Sequence, residues 1–106
     1  MLKELRDEGF LKDVTLNIEG VKIPAHRIVL ASACEYFRSM FRSNMKERAA
    51  EEIKIQGIDA SVGKIMVDYM YTSKLPLTAA NAESVLAASN LLLLEKAKKK
   101  AEEIPL

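Results

Sequence analysis

The one thiol and the one imidazole in the sequence belong to Cys34 and His26, the pair from which a nucleophile and its general base would have to be built. A thiol is activated only by a base within hydrogen-bond reach. Eight residues of helix would hold these two about 12 Å apart, and a break in the apolar period between them separates them further. Cys34 therefore reads as a small buried apolar side chain. One Cys and one His also cannot close a zinc site without carboxylates at ligand spacing, and no such cluster stands in the chain. The glycines lie scattered at positions 9, 20, 57 and 63, whereas a phosphate-cradling loop gathers several at a helix start. Neither a metal nor a cofactor is expected, and an enzyme is the class with least support.

The charged residues carry a different message. Asp13 opens a strand and Arg27 lies within an apolar helix, places where an isolated charge is costly unless paired. They are expected to meet, either to fix the hairpin to the helix or to line a pocket that recognises a partner. Lys96 and Lys98 to Lys100 form a basic patch, but Glu95, Glu102 and Glu103 flank it at spacings that suit i,i+4 pairing on a solvated helix. Lys plus Arg number 16 against 15 Asp plus Glu, a net charge of +1. That field is too weak to point to nucleic acid or an anionic membrane as partner.

The elements that position these groups follow from periodicity. Leu2, Leu5, Phe10 and Leu11 mark a short amphipathic segment that Gly9 interrupts, predicting a helix that ends near Glu8. From Asp13 the period becomes two, with Val14, Leu16 and Ile18 on one face. Gly20 supplies the positive φ of a tight turn, and Val21 and Ile23 complete a hairpin over 13–24. Pro24 is expected to end the ladder and open the next helix. That helix, Ala25 to Ser32, is apolar almost all round and so is expected to be buried.

A helix from Cys34 to Arg42 turns Phe37, Met40 and Phe41 inward, and Ile53 and Ile55 mark a third strand within 51–56. Asp59 or Ser61 caps the clearest helix, with Val62, Ile65, Met66, Tyr69 and Met70 on its stripe to about Tyr71. Thr78 is the expected cap of a helix striped by Ala82, Val85, Leu86, Ser89, Leu92 and Leu93. A last helix covers 94–103. The run Leu91 to Leu94 reads as a core seam between these two helices.

The 106 residues, 49% hydrophobic and 29% charged, have a globular composition and the size of one domain over 1–106. With Cys34 alone no intramolecular disulfide can form, which suits the cytoplasm or nucleus. No apolar run approaches the roughly 18 residues of a membrane span, and no leader is visible, so the chain is expected to be soluble.

Two blocks carry a family resemblance. The stretch DVTLNIEGVKIPAHRIVLASACEYFRSMFRSNMKE, Asp13 to Glu47, resembles the first half of BTB/POZ domains, those of the BTB-Kelch adaptors above all. VDYMYTSKLPLT, Val67 to Thr78, resembles their later helix-and-turn signature at the right distance. The resemblance implies an α+β fold, a cluster of five to six helices capped by a short three-stranded sheet.

It also implies a homodimer that docks a cullin scaffold and so brings substrates to a cullin-RING ubiquitin ligase. Other branches of the family recruit corepressor peptides. By position, the cullin-facing residues would be Phe41, Arg42, Asn44, Met45, Glu47, Asp68 and Tyr71. Leu2, Leu5, Phe10 and Leu11 match the first helix, which packs across the dimer, and Asp13 and Arg27 match the paired charges of the family's groove.

Departures from the pattern are Lys12, where an apolar residue or Cys is usual, and Ser73, where Gly is usual. The chain begins inside the family's first helix and ends before the additional helices with which Kelch-type adaptors strengthen the cullin contact. The tail LLLLEKAKKKAEEIPL looks designed or trimmed, in keeping with an engineered version that serves only as a self-association scaffold.

Overall fold

A computed structural model describes residues 2–43, 46 and 49–104. Its elements are helix α1 (Leu2–Glu8), strands β1 (Val14–Ile18) and β2 (Val21–Ala25), helices α2 (Arg27–Ala33) and α3 (Glu35–Ser43) and strand β3 (Glu52–Ile55). Helices α4 (Ala60–Thr72), α5 (Ala82–Leu91) and α6 (Glu95–Glu102) follow. The strands form one sheet in the order β2-β1-β3. The class is α+β, helices clustered about a short sheet.

The hairpin closes where the sequence puts it. Glu19 and Gly20 have φ of 53° and 84°, the two left-handed residues that match a turn to the strands' own twist. Asn17 Oδ1 accepts the Gly20 N–H at 2.8 Å. β1 runs antiparallel to β2, with Leu16 opposite Ile23, and parallel to β3, with Leu16 opposite Ile53. The parallel pair requires a crossover, and α2 and α3 supply it. Val14, Leu16 and Ile18 turn one face of β1 into a core that includes Leu30, Phe37, Ile53, Ile55, Met66 and Val85.

Three local readings need correction. Pro24 lies within β2, opposite Thr15, and does not open a helix. β2 is an edge strand, where a sheet accepts proline, and α2 starts only at Arg27. α2 is not buried all round either: Leu30 is its one buried residue, while Ile28 is 75% exposed. The run Leu91 to Leu94 divides, with Leu92 and Leu94 buried and Leu91 and Leu93 exposed. Leu93 is left-handed at φ 57°, and that twist rotates alternate leucines out of the seam. Thr78 caps the turn that leads into α5, as expected: its Oγ1 accepts the Asn81 N–H at 3.2 Å while Asn81 Oδ1 accepts the Thr78 N–H at 2.9 Å, and α5 follows from Ala82.

Asp59 caps α4, its carboxylate accepting the Val62 N–H at 2.8 Å. At the other end Ser73, φ 62°, donates its N–H to the Tyr69 carbonyl. That is a left-handed helix stop, which explains why a glycine is the favoured residue there.

Candidate functional site

Arg6 has the most unusual environment among the described residues. It is the one buried residue of α1 and is 3% exposed, although a guanidinium is among the groups least often buried without partners. Its Nη2 lies 2.5 Å from Asp68 Oδ1 on α4 and 3.0 Å from Asp7 Oδ1. Its central carbon stands 4.9 Å from the centre of the Tyr71 ring. Burial alone would lower the guanidinium's pKa, but hydrogen bonds and charge from Asp68 and Asp7 outweigh burial and hold it above its ordinary value.

Tyr71 is the hub of the same cluster. Its hydroxyl accepts the His26 backbone N–H at 2.9 Å and lies 2.7 Å from His26 Nδ1. His26 Nε2 lies 2.7 Å from the Phe10 carbonyl. A carbonyl can only accept, so Nε2 carries a proton and, in the neutral ring, Nδ1 receives the tyrosine O–H. Burial raises the Tyr71 pKa, with the His26 N–H and Arg6 acting in the opposite sense. The segment from α1 to Phe10 is thus held to α4 by an ion pair, a cation–ring contact and a Tyr–His relay.

Asp13 and Arg27 also meet, largely through the backbone. Asp13 Oδ1 accepts the Arg27 N–H at 2.8 Å, capping α2 from outside. The Arg27 guanidinium donates to the carbonyls of Asp13 and Ala50, lies 3.9 Å from Asp13 Oδ1 and stands over the Phe41 ring at 5.7 Å. One side chain ties the start of β1, α2 and the approach to β3 together. Beside it Lys12, Asp13, Val14, Thr15 and Glu51 line a cleft of about 320 Å³.

The apolar side chains sort into two groups. Leu2, Phe10 and Leu11 are exposed, Leu2 by 49% and Phe10 by 54%, and Leu5 is half-buried. Leu2 joins Ile28, Val29, Ser32, Ala33 and Met70 around a groove of about 440 Å³ between α1, α2 and α4. Ile28, Val29 and Met70 were not singled out from sequence for this surface. An apolar helix with no polar face is compatible with burial and with an outward apolar face alike, so its composition held no signal that separates the two.

The residues matched to the cullin-facing set are dispersed in role. Phe41 is 8% exposed and stacks on Phe37 at 6.0 Å between centroids, so its ring belongs to the core. Arg42 is exposed, and both border an open cleft with Ala31, Ser32 and Arg38. Asp68 and Tyr71 are half-buried in the Arg6 cluster. Asn44, Met45 and Glu47 lie outside the described residues. Arg6 itself was missed: it lies one helical turn after the exposed Leu2, and nothing in α1 marks a charge as its one buried residue.

Reactive groups are quiet. The Cys34 thiol is buried, donates to the Leu92 carbonyl at 3.2 Å and has its pKa raised by burial, the opposite of a nucleophile's environment. Among the described residues no group of acids, histidines and cysteines could hold a metal ion, and no helix is long and apolar enough to cross a membrane.

Comparison with known proteins places this architecture. The chain is 39% identical to Kelch-like protein 2 of Mus musculus over 99 residues, 93% of this chain and 17% of that protein. It is 44% identical to Kelch-like protein 22 of Xenopus tropicalis over 88 residues, 83% of this chain and 14% of that protein. The chain thus spans less than a fifth of the length of these relatives. The solved BTB domain of zebrafish PATZ1 superposes with a TM-score of 0.85 at 28% identity, covering 96% of this chain and 82% of that one. The BTB/POZ domain profile matches residues 2–105. With nearly the whole chain inside that match, and with the helical cluster and three-stranded sheet shared with a solved BTB domain, the chain belongs to the BTB/POZ domain family.

Proposed function

We propose that the chain is a non-enzymatic interaction module, a homodimerising adaptor that docks a cullin scaffold and so recruits substrates to a cullin-RING ubiquitin ligase. The observation that carries the reading is the apolar groove between α1 and α2, with Leu2 and Ile28 49% and 75% exposed. Side chains of this size left in water beside one another mark a surface that pairs, and a two-fold dimer would cover the same groove on both copies. Similarity to the Kelch-like proteins supports the adaptor role. The docking residues, by position, would be Phe41, Arg42, Asn44, Met45 and Glu47 with Asp68 and Tyr71, and the adaptor would work in the cytoplasm or nucleus.

The test is calorimetric titration with a cullin N-terminal helical domain, repeated with Met45→Asp. Saturable binding that the substitution abolishes is the expected result. Equal binding by both chains, or none by either at high micromolar concentration, removes the assignment.

A second reading has one observation in its favour. The exposed Asp13 carboxylate borders the cleft with Lys12, Thr15 and Glu51, a polar recess that a corepressor peptide could enter in a transcriptional regulator. NMR titration with such peptides would then perturb the Asp13 and Arg27 signals, and unmoved signals count against it. If the chain pairs but binds neither partner, it acts as a self-association scaffold, in keeping with an engineered origin.

A further inference from the structure

α1 is attached in an inverted manner. A surface helix ordinarily docks through its apolar stripe and leaves its charges in water, but here Leu2 is exposed, Leu5 is half-buried and the one buried residue is Arg6. The helix is held by charge and its apolar side chains are left free. The same guanidinium contacts Asp68 and Tyr71, the two α4 residues of the docking surface in the adaptor reading.

We propose that Arg6 is a positioning residue that couples self-association to scaffold docking. This inference rests on the adaptor reading, because it takes the free face of α1 as the dimer surface and Asp68 and Tyr71 as docking residues. The coupling needs no movement at a distance. α1 can present Leu2 to a second copy only while Arg6 is seated, and seating Arg6 fixes the Asp68 carboxylate and the plane of the Tyr71 ring. A second copy that packs on α1 therefore reduces the freedom of the docking residues, and a scaffold that engages Asp68 and Tyr71 steadies α1. Linkage makes the two effects equal in size.

The relay through His26 adds a second tie between Tyr71 and the α1 segment. The Tyr71 hydroxyl is bound by the His26 N–H and Nδ1, and His26 Nε2 holds the Phe10 carbonyl at the far end of the α1 segment. Tyr71 is therefore tied to the stretch that carries Leu2 and Phe10 at two points, the Arg6 guanidinium and, through His26, the Phe10 carbonyl. Asp7, which shares the guanidinium, also pairs with Lys3 at 2.9 Å within α1, so the second carboxylate on Arg6 is itself held by the helix.

The experiment follows self-association by sedimentation and affinity for the cullin N-terminal domain by calorimetry. It uses the wild-type chain, Arg6→Met, which keeps the stem and removes the fork, Arg6→Lys, which restores a charge, and Leu2→Asp, which spoils the apolar face with Arg6 in place. In wild type, saturating scaffold tightens self-association about tenfold, within the range of coupled sites, and Leu2→Asp docks correspondingly more weakly. In Arg6→Met the factor falls to about one and the Tyr71 ring resonances shift, while Arg6→Lys recovers part of both. If Arg6→Met does not fold, Arg6→Gln, which keeps a polar end and removes the charge, makes the same test without touching a docking residue. An undiminished factor in a folded Arg6→Met chain overturns the coupling and leaves the adaptor reading standing, as does wild-type docking that is equal for monomer and dimer. Absence of both pairing and docking in wild type overturns the adaptor reading and the coupling with it.

Discussion

Gly63 of α4 lies so close to Ile18 of β1 that a β-carbon on Gly63 would stand 2.6 Å from Ile18 Cδ1 and 2.9 Å from its Cγ2. Both distances are below real carbon contacts, and Ile18 is itself buried in the core. A glycine in mid-helix costs about 1 kcal/mol relative to alanine, and here that cost admits the sheet at contact distance. Gly63→Ala should therefore destabilise the fold by about 1–3 kcal/mol, the usual range of overpacking, rather than stabilise it. Denaturant unfolding measures this, and Ile18→Ala should be less harmful in the Gly63→Ala background than alone.

Ser73 gives the opposite sign. Its left-handed φ of 62° places a β-carbon where a glycine would have none, so Ser73→Gly should stabilise the chain by about 1 kcal/mol. A shift of the urea midpoint to higher concentration at unchanged slope is the expected outcome. A lower midpoint would mean that the serine side chain offsets the strain.

Tyr71→Phe removes one oxygen and leaves the His26 N–H and Nδ1 without their partner. Stranded buried polar groups cost about 1–3 kcal/mol, so the loss should fall in that range even though the ring still packs under Arg6. Faster hydrogen exchange at the His26 amide reports the broken bond directly.

Ile28→Asp separates folding from pairing. The side chain is 75% exposed, so unfolding of the monomer should change by no more than about 0.5 kcal/mol, while a charge in the apolar groove should weaken self-association by at least about tenfold. Sedimentation across a concentration series distinguishes this from an unchanged dimer.

Acid should release the cap of α4. The Val62 N–H, and next to it the Ser61 hydroxyl, hold the Asp59 carboxyl below its ordinary value of 3.8. A folded-state pKa below the unfolded one means that the charged cap stabilises the protein above that value, and that this contribution is lost as pH falls through it. Asp7, lowered by Lys3 and Arg6, and Glu52, lowered by Lys22 and Asn17, add in the same direction. Melting temperature should fall on acidification, and less steeply in Asp59→Asn, whose amide oxygen still accepts the bond.

The parts of the fold legible in sequence were those with a short-range cause. Alternation in Val14, Leu16 and Ile18, the Glu19–Gly20 turn and the Asp59 cap are each set by neighbours within a few residues, and the sheet hairpin and α4 follow from them. Pro24 misled because its tolerance depends on β2 being an edge, a property of the whole sheet. Ile28 misled because an apolar helix face buried in the core and one left for another molecule have the same composition. Arg6 was hidden for a related reason: its partners Asp68 and Tyr71 come from α4, and nothing local to α1 announces that a charge, rather than a leucine, fills the inward position.

The parallel alignment of β1 with β3 sets an order of events during synthesis. Thr15 finds its neighbour Glu52 only after α2, α3 and the segment behind them have been made, whereas β1 and β2 can zip together as soon as Ala25 emerges. Non-local pairings of this kind are slow to nucleate, so one border of the central strand stays bare on the ribosome until residue 55 is clear of the exit tunnel. A nascent chain stalled before that point would expose the backbone of β1 to other unfinished chains, and this is the interval in which a chaperone would matter most.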